Sequence, residues 1–101
     1  MATEVETRIE KLLAFCEEEK WGKAHDTAAG IAKLAKQSKH RTEVLKAFIA
    51  LSKHEDAARY AWKHLGELAT PQDEELLDYL ESNLGDNRAA SDCARALLRC
   101  R

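Results

Sequence analysis

Three alanine-centred segments recur along this chain at almost constant spacing, and that recurrence limits the fold more than any single motif does. Trp21-Gly22-Lys23-Ala24-His25-Asp26-Thr27-Ala28 aligns with His54-Glu55-Asp56-Ala57-Ala58-Arg59-Tyr60-Ala61 and with Asp86-Asn87-Arg88-Ala89-Ala90-Ser91-Asp92-Cys93. The steps between Ala24, Ala57 and Ala89 are 33 and then 32 residues. Ala28, Ala61 and Cys93 coincide in the same register, as do Leu12, Leu45 and Leu77 upstream, and Phe15, Phe48 and Leu80. A period in the low thirties carrying two helical patterns is the signature of stacked helical hairpins. Such folds bind other polypeptides far more often than they catalyse.

At 101 residues the chain is long enough for one domain with a modest core. A single proline and four glycines leave a composition dominated by helix formers. Charged residues make up 34%, yet the net charge is only −2, so no global field favours nucleic acid or an anionic membrane. Apolar runs are too short to span a bilayer. The acidic start, Met1-Ala2-Thr3-Glu4-Val5-Glu6, lacks the basic-then-apolar pattern of a signal sequence. These features predict a cytoplasmic protein in which Cys16, Cys93 and Cys100 are free thiols without a metal.

Apolar periodicity predicts six helices in three pairs, with repeats at about 4–38, 39–69 and 70–101 of one domain spanning 1–101. The first pair covers about 4–18 and 21–37, and the second about 42–52 and 54–68. In the third, Thr70 is expected to cap, with Pro71 at the first helical position, and Gly85 to end the helix. Asp86 or Asn87 then caps the last helix, whose apolar side holds Ala89, Ala90, Cys93, Ala94, Leu97 and Leu98. Short loops force antiparallel neighbours. Matched alanines allow close helix crossings. Trp62, standing where the other repeats have Ala29 and Ala94, is expected to pack into the next repeat's first helix.

Little in the sequence suggests chemistry. His25, His40, His54 and His64 show no paired spacing on one helix face with an intervening carboxylate. Cys93 and Cys100 supply two of the four ligands that tetrahedral zinc needs. Asp73, Glu74, Glu75, Asp78 and Glu81 line one helix rather than two walls of a cleft, so they read as a solvated or docking face. Lys33, Lys36, Lys39, His40, Arg41 and Lys46 form a basic run with no interleaved aromatic platform. No cofactor motif is present.

These residues resemble the tetratricopeptide repeat, a helical hairpin of similar period. Phe15 and Phe48 match its aromatic late in the first helix, and Ala24, Ala57 and Ala89 match its small residue early in the second. Trp21 matches its turn aromatic, and Gly85-Asp86 its Gly-Asp turn. Leu12, Leu45 and Leu77 stand where the family carries a small residue, and its terminal proline is missing. The resemblance, which covers nearly the whole chain, implies an all-α, short right-handed solenoid whose first helices line a concave groove. By that placement Ile9, Leu13, Cys16, Lys46, Ile49, Ala50, Asp78 and Glu81 are the expected partner-binding residues. Length, repeat number and charge further resemble the small chaperones of type III secretion needle subunits, which hold an amphipathic helix of their partner with the help of a second small helical protein. Two other readings stay open: a death-fold-like six-helix bundle that assembles homotypically, and a small regulatory helical protein that uses the basic run on nucleic acid.

Overall fold

The computed structural model describes residues 3–101, so Met1 and Ala2 of the acidic N-terminal stretch lie outside the described residues. Six helices follow in order: α1 Glu4–Glu17, α2 Trp21–Leu34, α3 Ser38–Leu51, α4 Ala58–Leu68, α5 Glu74–Ser82 and α6 Ala90–Cys100. Within each hairpin the two helices pack together, α1 on α2, α3 on α4 and α5 on α6. The second helices then pack in series, α2 on α4 and α4 on α6, while α1 lies against α3. This is an all-α, repeat-like stack measuring 35 × 31 × 19 Å. None of the described helices is long and apolar enough to cross a membrane.

The repeat register explains the stack. Ala24, Ala57 and Ala89 are all fully buried, and so are Ala28, Ala61 and Cys93. A methyl or thiol at each of these positions lets the second helices approach closely, and larger side chains fill the flanks. Leu12, Phe48, Leu77 and Leu80 are among those fillers, all at most 1% exposed. Phe15 and Leu45, at matched positions, are only half-buried. A close backbone approach occurs at Gly66, where an added Cβ would lie 3.0 Å from the backbone oxygen of Asp92. A side chain there would push α4 and α6 apart by a few tenths of an ångström.

Trp62 packs as its place in the repeat predicts. It is buried, and its indole stacks on Tyr79 of α5 with centroids 5.5 Å apart. The Tyr79 hydroxyl lies 2.6 Å from Ser52 Oγ, and Ser52 donates to the Ile49 carbonyl at the end of α3. Other polar ties join successive hairpins. Thr3 caps α1 by accepting from the Glu6 amide, and its hydroxyl donates to Glu43 on α3 at 2.6 Å. Half-buried Arg41 on α3 donates to the Leu68 carbonyl and to Asp73. Arg99 on α6 donates to the Gly66 and Ala69 carbonyls and satisfies the C-terminal end of α4.

Several expected helix ends differ in detail. Pro71 lies in a turn rather than at a first helical position, and α5 begins at Glu74. There the Asp73 carboxylate accepts from both the amide and the hydroxyl of Thr70, which folds residues 70–73 back on themselves. Gly85 does not end α5. Helical geometry stops at Ser82, the Asn83 side chain donates to the Tyr79 carbonyl, and Gly85 has no positive φ. The left-handed residue is Glu19, with φ 58°. The Glu19 and Lys20 amides donate to the Cys16 and Phe15 carbonyls, closing α1 in a Schellman arrangement. α4 starts four residues later than expected because His54 Nδ1 accepts from the Asp56 and Ala57 amides and holds a preceding turn. Asp86, its repeat equivalent, does the same for Arg88. Leu98 was expected on the apolar side of α6 but is 87% exposed, and Ala96 is buried in its stead.

Two predictions follow from this packing. Ala57→Leu places a branched side chain in a fully buried helix crossing and should destabilise the protein by about 1–3 kcal/mol, read as a lower urea midpoint. The second concerns His64, which is buried against Phe48 with ring centroids 5.4 Å apart. Its two nitrogens have no hydrogen-bond partner among the described residues, since Glu67 Oε2 is 3.6 Å away. Burial pushes its pKa below the ordinary 6.5; Glu67 opposes that shift, while Lys63 and His25 add to it. A lowered histidine pKa means the unfolded chain binds the proton more readily than the folded one. His64's contribution is therefore complete above about pH 6.5 and is lost as the pH falls toward its folded value. Denaturation midpoints should drop between pH 7.5 and 5.5 (about one unit either side of the imidazole pKa), and His64→Leu should flatten that slope.

Candidate partner-binding groove

The faces of α1, α3 and α5 that are not needed between helices form two adjoining troughs. The first, about 580 Å³, runs between α1 and α3. Its floor is apolar: Val5, Ile9 and Leu13 from one helix, Ala47, Ala50 and Leu51 from the other. The second, about 510 Å³, lies between α3 and α5 and is floored by Leu45, Ile49, Leu76 and Tyr79. Lys46 stands on the ridge and lines both.

The helical phase decides which residues reach these troughs. On α1 the stripe Val5–Leu12–Cys16 turns inward and is buried, whereas Ile9 and Leu13 lie on its edge and are half-buried. On α3, Val44, Phe48 and Leu51 face the core, leaving Leu45, Lys46, Ile49 and Ala50 toward the open side. On α5 the rotation is set by Tyr79, which is held by Trp62 and Ser52.

Of the eight expected groove residues, Ile9, Leu13, Lys46 and Ala50 line the first trough, and Lys46 and Ile49 line the second. Cys16 does not belong to the groove: it is 2% exposed and lies near the centre of the inward stripe of α1. Asp78 and Glu81 also line neither trough. The Tyr79 anchor turns them away, and each accepts from the Arg101 guanidinium at 2.6 Å. Glu6, Glu10, Glu43, Leu45, Ala47 and Tyr79 line the troughs without being among the expected groove residues. Helical spacing reaches Glu6 from Ile9 and Leu45 from Ile49.

The other clusters are less suited to a site. Asp73 is engaged by Arg41 and Thr70, which ties one residue of the acidic run to one residue of the basic run. Among the described residues, no three His, Cys, Asp or Glu side chains converge as metal ligands. Burial pushes the Cys93 thiol up to about 11, with Asp92 and Asp86 adding to the shift. Burial and then Asp56 raise Cys16, against Arg59. Half-buried Cys100 donates to the Ala69 carbonyl at 3.4 Å.

Cysteine reactivity depends on thiolate and access. A neutral disulfide reagent should therefore modify Cys100 in the native protein and leave Cys16 and Cys93 untouched until denaturant is added; native modification of all three thiols would contradict this packing.

Compared with protein-family models, curated proteins and solved structures, the chain has no match.

Proposed function

We propose that this protein is a non-catalytic, tetratricopeptide-like binding module that holds an amphipathic helix of a partner protein along its α1–α3–α5 face. The observation that supports this reading is the pair of apolar troughs on a face where α1 carries half-buried Ile9 and Leu13, α3 carries Leu45 and Ile49, and α5 carries Tyr79. A helix laid into such a groove anchors through residues at i, i+3, i+4 and i+7. Burial at roughly 25 cal/mol per Å² of apolar area contributes several kcal/mol before association costs are subtracted.

A small cytoplasmic chaperone or adaptor is the form this function takes. Its specific version, suggested by the resemblance, is a chaperone for a type III secretion needle subunit acting beside a second small helical protein. The raised thiols and the dispersed histidines favour binding over covalent chemistry. The Arg41–Asp73 pair takes one cation out of the basic run, and the serial packing of second helices disfavours a death-fold bundle.

Ala50 is exposed within the first trough, so Ala50→Arg fills it without entering the core. This variant should keep the helical circular-dichroism signal of the parent and lose the protein that co-purifies with it. Ile49→Asp should weaken the same association through the second trough. A folded Ala50→Arg protein that retains its partner at parental affinity would move the interface away from this face.

A further inference from the structure

The charges around the first trough point to the kind of helix it accepts. Glu6 and Glu10 on α1 and Glu43 on α3 line it, against Lys46 and His54. Glu6 and Glu10 are one turn apart and both exposed, so their carboxylates form a short row beside Ile9 and Leu13. The outer wall of the second trough repeats the arrangement with Glu74 and Glu75 on α5. Among the described residues, no Lys, Arg or His forms an ion pair with Glu6, Glu10, Glu74 or Glu75, and Lys46 has no carboxylate partner. By contrast, the carboxylates away from the troughs at Asp78 and Glu81 are engaged by Arg101. The apolar floor is thus bordered by carboxylates on its outer walls, at Glu6, Glu10, Glu74 and Glu75, and by the Lys46 ammonium on the central ridge, while Glu43 on α3 accepts from the Thr3 hydroxyl.

Resting on the groove reading above, we infer that the occupant of the α1–α3 trough is a basic amphipathic helix. Its apolar stripe lies on Ile9, Leu13, Ala47 and Ala50, and Lys or Arg residues bordering that stripe one turn apart lie over Glu6 and Glu10. A carboxylate on the opposite border meets Lys46. With a cation on one side and an anion on the other, the groove selects the orientation of the helix as well as its sequence. The same outer row repels phosphates, which sets this face against nucleic acids and anionic lipid surfaces.

The test uses two synthetic helical peptides with the same leucine stripe, one bordered by Lys and Arg and the other by Glu and Asp, titrated against the full chain. The basic peptide should bind tighter by at least about tenfold at low salt, and the difference should shrink as salt is added. The double variant Glu6→Lys with Glu10→Lys should reverse the preference. Glu6→Gln with Glu10→Gln, which leaves the first turn of α1 free of new charge, should abolish it. Ala50→Arg should remove binding of both peptides. Equal affinity of the parent protein for the two peptides would leave the groove standing and overturn its charge selection. Binding of the basic peptide that survives Ala50→Arg would place it on acidic surface elsewhere, which also overturns the inference. If neither peptide binds, the groove reading fails and this inference falls with it. A dimer of the protein that Ala50→Arg dissociates would assign the trough to a second copy of the chain, again overturning it.

Discussion

The close approach of three helices to α4 is the constraint on which the rest of the structure depends. This helix packs on α2, α3 and α6, and Ala58, Tyr60, Ala61, Trp62, His64, Leu65 and Gly66 are all buried on it. A helix so enclosed needs small residues wherever another backbone crosses it closely, and Ala57, Ala61 and Gly66 meet that need. It needs large ones where the crossing opens, and Trp62 and Leu65 fill those spaces. Polar groups carried inside are a cost: the Trp62 Nε1 and both His64 nitrogens are buried without a hydrogen bond among the described residues. Because the second helices carry the stacking, the outward sides of α1, α3 and α5 are released from it. The open α1–α3–α5 face is therefore a consequence of how α4 is packed.

That part of the fold was legible in the sequence because stacking repeats at one register. Ala24, Ala57 and Ala89 had to be small for the same reason, so their recurrence carried real structural information. Trp62 was legible for a related reason, as a large residue in an alanine series must find space in the next hairpin. The ends of helices were less legible. Gly85 and Pro71 fit familiar positional preferences, yet the actual ends are set by Asn83, Asp73 and Thr70 through side-chain hydrogen bonds. The left-handed residue that closes α1 is a glutamate, Glu19, which no preference for glycine would find.

The candidate groove was half legible. Ile9, Leu13, Lys46, Ile49 and Ala50, nominated from the repeat register, line the two troughs. It failed at Cys16 because the apolar stripe of α1 is wide, and nothing in its periodicity separates the buried centre from the half-buried edge. It failed at Asp78 and Glu81 because an alignment assumes that each first helix is rotated alike. The rotation of α5 is fixed by one tertiary contact, the Tyr79 ring on Trp62 with its hydroxyl at Ser52, and that contact exists only in three dimensions. The unpartnered carboxylates of the trough walls were hidden in the same way. In sequence Glu6 and Glu10 look like any other residues of a solvated face, and only the neighbouring α3 turns them into a border.

Native-state hydrogen exchange resolved by residue tests the central claim most directly. If α4 is the element that all three hairpins share, its amides from Ala61 to Leu65 exchange only through global unfolding and are the slowest in the protein. Amides of α1 and α5, each with an open side, then exchange through smaller openings at lower free energy. Exchange in α4 as fast as that in α1 or α5, while a different helix holds the slowest amides, would contradict the account.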